Sequence, residues 1–198
     1  MNNYVIVLCA QSPNTPEKYC DSAYALGKLL AKARKTTVFG GGAYGATGSL
    51  AEGVADARAE FDVKGELISS LPLSYKASQE AKLHPKVSGK HWTGDSSQDK
   101  QKLYADADAV ITLPGGIGTL QEVLSVILMK REGFFHKPII IINQDGFYDS
   151  IQDMLKRIEA DKLVSHSTGM WHFVSTGEEA LALIEGEQAE AHTLAAAI

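Results

Sequence analysis

A glycine-rich loop between a short strand and a helix most constrains the fold of this chain. Residues 108–112 form a largely apolar, β-branched run that ends at a Pro-Gly turn, which is typical of a buried parallel strand. The segment after the loop has apolar residues at the helical period: Leu120, Val123, Leu124, Ile127 and Leu128. This strand–loop–helix unit indicates an anion site, because the free N–H groups and the dipole of the helix face the loop.

The loop at residues 113–122 combines groups that suit an anion with one that suits a reaction. Gly115, Gly116 and Gly118 allow positive φ and close backbone approach, and Thr119 adds a hydroxyl. Glu122 lies one helical turn beyond Thr119, where a carboxylate suits sugar hydroxyls or a water better than a phosphate. The pattern therefore indicates chemistry beside a bound phosphate. The same residues also make a good helix start on capping grounds alone, so both interpretations stay open here.

Buried strand patterns alternate with helical patterns along the chain. Strands are predicted at residues 4–9, 36–39, 63–68, 108–112, 137–143 and 171–174. Helices are predicted at residues 16–35, 49–60, 98–107, from 119, at 149–160 and from 176. The alternation predicts an α/β fold, a single domain with a doubly wound, mostly parallel, Rossmann-like sheet and helices on both faces.

Two segments fit this pattern less well. Residues 69–99 are polar and irregular, and a long loop inside a compact domain is usually functional or mobile. The Ala/Glu/Gln-rich stretch 185–198 is expected to be a weakly anchored C-terminal tail, so the domain is predicted to cover residues 1–184.

The composition limits the partners. A net charge of −5 over 198 residues gives no support for a nucleic acid or an anionic membrane, so an anionic ligand would need local help from loop amides and a few basic residues. Cys9 and Cys20 form no metal or disulfide pattern, and neither a metal nor a cofactor is expected. The chain has no basic leader and no apolar run long enough to span a bilayer, so we expect a cytoplasmic protein.

A second glycine loop contains the spacing GxGxxG in Gly40, Gly42 and Gly45. A dinucleotide site is one interpretation, with Asp62 as the ribose-binding acid. That interpretation is disfavoured because the turn after the first strand has no glycine and because Asp62 precedes the third predicted strand. We expect this loop, with Gly41 and Gly42, to bring its backbone close to a mononucleotide or to the neighbouring loop.

Several segments together resemble one family. PGGIGTLQE matches the PGGxGTxxE motif of the LOG (Lonely Guy) family, phosphoribohydrolases that are often mislabelled as lysine decarboxylases. CAQS, FGGGAYGATG and the KP…DGFY segment are similar to further LOG segments, and the resemblance covers roughly residues 4–184. It implies a Rossmann-like fold, commonly a homodimer with its active site near the subunit interface, and hydrolysis of the N-glycosidic bond of a nucleoside 5′-monophosphate.

The resemblance also implies residue roles. Glu122 would orient the ribose or a water as C1′ becomes cationic. The 5′-phosphate would be held by Gly115, Gly116, Gly118 and Thr119. Ser12, Gly41, Gly42 and Lys100 join the predicted nucleotide-binding set. Lysine decarboxylation is not expected, because no lysine stands in a recognisable pyridoxal-phosphate context.

One family element is broken. The family motif MHxRK follows a Gly-Asp pair, whereas here Gly94-Asp95 is followed by SSQDK, which keeps the lysine as Lys100 but places Asp99 at the arginine position. Lysine cannot copy the bidentate contact of an arginine. Either the substrate differs, or positive charge comes from Lys100, Lys102 or Arg131, or the chain binds without catalysing.

Two hypotheses follow. The first is a LOG-like hydrolase that releases a free base and ribose 5-phosphate. The alternative is a non-catalytic nucleotide- or phospholigand-binding protein of the same fold. The group that protonates the leaving base is not identified by the sequence. Glu80 and His84 lie in the irregular segment that could supply it, although a solvated carboxylate and a surface histidine fit their context better.

Overall fold

The computed structural model describes residues 3–62, 66–94, 96–164 and 169–196. Its strands are β1 (Tyr4–Leu8), β2 (Thr36–Phe39), β3 (Leu67–Pro72), β4 (Gly89–Thr93), β5 (Ala109–Thr112), β6 (Ile139–Ile142) and β7 (His172–Val174). They form one seven-stranded sheet in the order β4-β3-β2-β1-β5-β6-β7, with every strand pair parallel. The prediction of a Rossmann-like parallel sheet is confirmed.

The helices are α1 (Glu17–Lys32), α2 (Gly45–Phe61), α3 (Lys76–Gln79), α4 (Ser97–Ala105), α5 (Ile117–Arg131), α6 (Asp149–Ala160) and α7 (Gly177–Ala196). Short 3₁₀ turns occupy Leu73–Tyr75, Glu80–Lys82 and Gln144–Gly146. Within the described ranges, no helix has the length and apolar character needed to cross a membrane.

The sheet is covered on both faces, as predicted. Alternate residues of a strand point to opposite faces, so Val5 and Val7 belong to one core and Ile6 and Leu8 to the other. The first core is completed by buried residues of α1, α2 and α7, and the second by buried residues of α4 and α5. The central strands read as continuous apolar runs because they are buried on both sides.

The prediction of an irregular segment at 69–99 is wrong in part. β3 continues to Pro72, and β4 adds an edge strand with the sequence GKHWT. Two of its residues, Lys90 and His91, are exposed, so this strand has no apolar run to mark it. The third predicted strand is also shifted, since β3 begins at Leu67, and residues 63–65 lie outside the described ranges.

The stretch expected to be a tail continues α7, and the expected domain limit at residue 184 falls inside that helix. Gln188 links this part of α7 to the sheet. Its amide nitrogen donates to Asp108 at 2.9 Å and its amide oxygen accepts from Lys35 at 3.1 Å. Lys35 also pairs with Asp108 at 3.0 Å and is buried, so the three side chains close a ring of contacts at the end of the sheet where β5 begins.

Candidate functional site

A cleft of about 490 Å³ opens at the carboxyl ends of the central strands. Its walls come from the residues after β1, the end of β3, and the start of α5. β1 lies between β2 and β5. The strands from β1 to β4 extend the sheet towards one edge, and those from β5 to β7 extend it towards the other, so the loops that follow β1 and β5 diverge. Such a point is where open α/β sheets bind their ligands.

The start of α5 offers backbone donors to this cleft. Gly116 precedes the helix, and the first intrahelical bond runs from Leu120 N–H to Gly116 C=O at 3.0 Å. The N–H groups of Ile117, Gly118 and Thr119 therefore have no acceptor one turn earlier in the same helix. Gly116, Gly118 and Thr119 line the cleft. These donors and the helix dipole favour a bound anion.

The loop glycines matter for the room that a missing Cβ leaves and not for a positive φ, which corrects the expectation from sequence. Gly116 has φ −87° and ψ −163°, and neither Gly115 nor Gly118 has a positive φ. A Cβ on Gly115 would lie 2.3 Å from Thr119 Oγ1, so this position requires glycine. A Cβ on Gly116 or Gly118 would meet nothing within 4 Å, so these two leave room on the cleft side.

A tyrosine that the sequence did not single out fixes the same loop. The Tyr148 hydroxyl donates to Leu113 C=O at 2.8 Å. Burial raises the pKa of this hydroxyl, and the nearby Gly115 backbone offsets part of that rise. The turn that leads into α5 is therefore tied to the segment after β6.

Glu122 lies one turn into α5 and lines both the cleft and an adjoining space of about 130 Å³. Its charge is felt by two neighbouring groups. Burial, and after it the charge of Glu122, raises the pKa of Tyr104. Burial also raises the pKa of Cys9 to about 12, with a bond to Thr47 opposing and Glu122 adding to the rise. Both groups remain protonated near neutral pH, and a protonated thiol is a poor nucleophile.

The predicted residues of the two preceding loops have different places. Ser12 lines the cleft, and its hydroxyl accepts from Asn14 N–H at 3.2 Å. Gly41 and Gly42 are not among the described residues that line it. Gly41 has φ +79°, and a Cβ on Gly42 would lie 2.2 Å from the amide nitrogen of Gln11, which is itself in the cleft wall. Gly41 and Gly42 therefore lie behind the cleft wall, and Gly42 packs against it.

Asp99, at the position of the family arginine, forms a local helix cap. Ser96 precedes α4, its hydroxyl donates to the Asp99 carboxylate at 2.6 Å, and the Asp99 N–H donates to that hydroxyl at 3.2 Å. Asp99 is not among the described residues lining the cleft. Lys100 belongs to α4, but its side chain lies outside the described part of the structure.

The other cationic candidates lie elsewhere. Lys102 is exposed, and Arg131 is exposed with its guanidinium 3.6 Å from Glu132. Among the described residues that line the cleft there is no Lys, Arg or His side chain.

His84 and Glu80, considered as partners for the leaving base, are engaged in other contacts. His84 is buried, which corrects the expectation of a surface histidine. Its Nε2 lies 3.0 Å from Glu52, and its Nδ1 accepts from Lys86 N–H at 3.2 Å. Glu80 is exposed, 3.6 Å from Lys90. Neither lines the cleft among the described residues, and the described part of the chain has no His/Cys/Asp/Glu cluster that could hold a metal ion.

Comparison with known proteins adds a family. The family model described as possible lysine decarboxylase matches residues 51–184. A cytokinin riboside 5′-monophosphate phosphoribohydrolase of Rhodococcoides fascians is 28% identical over 164 residues, covering 83% of this chain and 79% of the relative. An Arabidopsis thaliana protein with the same name is 30% identical over 162 residues, covering 81% and 71%.

The fold also matches solved structures. The molybdenum cofactor binding protein of Rippkaea orientalis superposes with a TM-score of 0.68 at 20% identity, covering 94% of this chain and 98% of the other. At this identity the likeness shows the fold alone. The family match and the phosphoribohydrolase relatives agree with the glycine-loop motif, and on them the chain belongs to the possible lysine decarboxylase family, that is, the LOG family.

Proposed function

We propose that this chain hydrolyses the N-glycosidic bond of a nucleoside 5′-monophosphate, giving a free base and ribose 5-phosphate. One observation carries the proposal. The free N–H groups at the start of α5 and the carboxylate of Glu122 face one cleft, one helical turn apart. The names of the relatives support the same reaction type.

In this proposal the phosphate binds at the start of α5. Open space at Gly116 and Gly118 admits the phosphate oxygens to the N–H groups of residues 117–119. Thr119 is buried, with its hydroxyl beside Gly115, so its backbone rather than its side chain serves the ligand. Lys100 and Ser12 remain the proposed side-chain contributors, and Ser12 lines the cleft.

Glu122 performs the chemistry in this proposal. Three residues along a helix span about 4.5 Å, so the carboxylate lies one sugar ring away from the phosphate donors. As the glycosidic bond breaks, its electron pair goes to the base and C1′ becomes positive, which a carboxylate stabilises. A water then adds through oxygen to C1′, and its proton passes by way of Glu122 to the departing base, so that the base leaves neutral and the carboxylate is restored.

A second candidate function is phospholigand binding without turnover. Asp99 favours it, because the family arginine is absent and its replacement caps α4. The start of α5 supports both functions equally. Glu122 favours the enzyme, since a carboxylate beside an anion weakens simple binding.

The proposed assembly is a homodimer. Ile117, Leu124 and Leu128 form an exposed apolar row on α5, which we call the α5 row, with exposed fractions of 82%, 46% and 44%. Burial of such a row favours association. Because Glu122 is on the same helix, a partner docked there would lie beside the cleft.

The test is an assay of AMP, GMP, CMP, UMP and an N6-substituted AMP for released base. We expect release from at least one, and a loss of at least about 100-fold in Glu122→Gln, which keeps the shape but not the charge. Isothermal titration should show that the variant still binds the nucleotide. Binding by the native protein without release from any substrate would contradict the enzyme and favour the binding protein.

A further inference from the structure

The hydroxyl of Tyr148 bonds to a tight turn that lies far away in the sequence. It donates to Leu113 C=O, just before Pro114, at 2.8 Å. Tyr148 follows β6, whereas the turn follows β5, and the residues that bond at 2.8 Å are 35 positions apart. One side chain therefore ties the loop that leads into α5 to the segment after β6.

Tyr148 is itself held firmly. Its N–H donates to the side-chain oxygen of Asn143 at 2.6 Å, and the amide nitrogen of Asn143 donates to Asp149 at 2.7 Å. The ring of Phe147 meets the Tyr148 ring edge to face at 4.8 Å between centroids. These contacts fix the ring from the β6 side, so the hydroxyl has a defined position beneath the loop.

Packing alone does not account for a hydroxyl at this place. Tyr148 is 1% exposed and packs in the core beneath α5, where a phenylalanine ring would fill the same volume. A buried hydroxyl is unfavourable unless it is hydrogen-bonded. Here it satisfies the Leu113 carbonyl of the turn, and Leu113 is also 1% exposed, so water is a poor substitute partner.

We propose that Tyr148 is a positioning residue of the phosphate site, holding the 113–115 turn so that the N–H groups of residues 117–119 face the cleft. This inference rests on the placement of the phosphate in the proposed function. The hydroxyl does not touch the ligand. It acts through the turn, and its pKa, raised by burial, keeps it protonated as a donor to Leu113 over the neutral range.

The test is binding of ribose 5-phosphate, which has no glycosidic bond to cleave, to Tyr148→Phe. We expect affinity for ribose 5-phosphate to fall about ten-fold, the size of one well-placed hydrogen bond. Affinity for adenosine, which lacks the phosphate, should change less than two-fold by the same arithmetic, ~0.4 kcal/mol. In turnover, KM for the nucleotide should rise more than kcat falls.

Tyr24→Phe is the matched control, because the Tyr24 hydroxyl also donates one hydrogen bond, to Asp56 at 2.8 Å, on the exposed surface between α1 and α2. It should leave both affinities unchanged. Asn143→Ala, which removes the acceptor for the Tyr148 N–H, should shift ribose 5-phosphate binding in the same direction as Tyr148→Phe.

The outcomes separate the two proposals. Weakened ribose 5-phosphate binding in Tyr148→Phe supports the positioning role even if no nucleotide is hydrolysed. Unchanged binding in a folded Tyr148→Phe overturns it, as does an equal loss for ribose 5-phosphate and adenosine. If Tyr148→Phe does not fold, unchanged binding in Asn143→Ala overturns it. A native protein that binds no 5′-phosphate overturns both the positioning role and the placement of the phosphate.

Discussion

Ser96 and Asp99 form a reciprocal cap at the start of α4. The Ser96 hydroxyl donates to the Asp99 carboxylate at 2.6 Å and accepts from the Asp99 N–H at 3.2 Å. Carboxylates are favourable in the first turn of a helix, and capping bonds satisfy its free donors. The residue that replaces the family arginine thus has a structural role on its own helix.

We therefore expect Asp99→Arg to affect stability more than binding. Loss of the cap and reversal of charge at the helix start should lower the free energy of unfolding by about 1 kcal/mol. AMP affinity should stay within about two-fold, a change of ~0.4 kcal/mol. Chemical denaturation and isothermal titration measure the two quantities. Asp99→Asn, which keeps a side-chain acceptor for the Ser96 hydroxyl, should lose less stability.

A different result would indicate that Asp99 lies beside the bound phosphate. If Asp99→Arg tightened AMP binding or raised base release by about ten-fold, the aspartate would lie within a few ångströms of the phosphate, where a charge reversal has an effect of that size. The capping role would then be secondary, and Asp99 would count as evidence against catalysis in the native chain.

The α5 row gives a prediction about assembly. Leu124→Asp places a charge in the middle of this exposed apolar row. We expect the native protein to sediment as a dimer and Leu124→Asp as a folded monomer, because a buried unpaired charge opposes association. Leu163→Asp is the control, since Leu163 is 74% exposed and lies outside the row. A native monomer, or a dimer unaffected by Leu124→Asp, would contradict this interface.

The central sheet could be predicted because its physical signature is local. β1, β5 and β6 are apolar runs buried on both faces, and the periodicity of α6 is equally plain in the sequence. β4 could not be predicted, since a polar edge strand with exposed Lys90 and His91 has no such run. Its pairing with β3 is a property of the folded sheet.

The residues of the candidate site likewise divide into those that could be predicted from the sequence and those that could not. The glycine loop and Glu122 were predictable, because a strand, a loop and a helix start are contiguous in the chain. Tyr148 was not, since an aromatic residue after an Asp-Gly turn resembles any core residue until its bond to Leu113 is known. Asp99 was ambiguous for another reason: a carboxylate near a helix start fits a cap and a pocket equally well in sequence.

Cys9 gives a prediction about pH. Its pKa rises from 9.0 to about 12 in the folded protein, with burial as the main cause. In the unfolded chain the thiol ionises near its ordinary value, so the folded state binds more protons above pH 9 and stability falls as pH rises. Below pH 9 the thiol is protonated in both the folded and the unfolded state, so Cys9 does not lower the free energy of unfolding there. The free energy of unfolding, measured by chemical denaturation between pH 8 and about 10, should fall less steeply with pH for Cys9→Ala than for the native protein. Parallel slopes would show that Cys9 titrates normally.

Gly116 gives the most direct test of the phosphate loop. Its φ of −87° and ψ of −163° are extended values that a β-branched residue adopts readily, and a Cβ there meets nothing within 4 Å. Gly116→Val should therefore fold normally while its side chain occupies the space before the N–H groups of residues 117–119. We expect AMP affinity to fall at least about ten-fold, equivalent to ~1.4 kcal/mol, with adenosine affinity little changed.

Two further glycine substitutions serve as comparisons for Gly116→Val. Gly186→Ala also adds a Cβ that meets nothing within 4 Å, but on α7, so AMP binding should be unaffected. Gly115→Ala places a Cβ 2.3 Å from Thr119 Oγ1, so it should destabilise the fold, which a thermal melt would show. If Gly116→Val lost AMP and adenosine affinity in parallel, the substitution would have closed the whole cleft rather than a phosphate site. If it lost neither, the phosphate would bind away from α5, because a valine cannot share the space in front of that helix with a phosphate group.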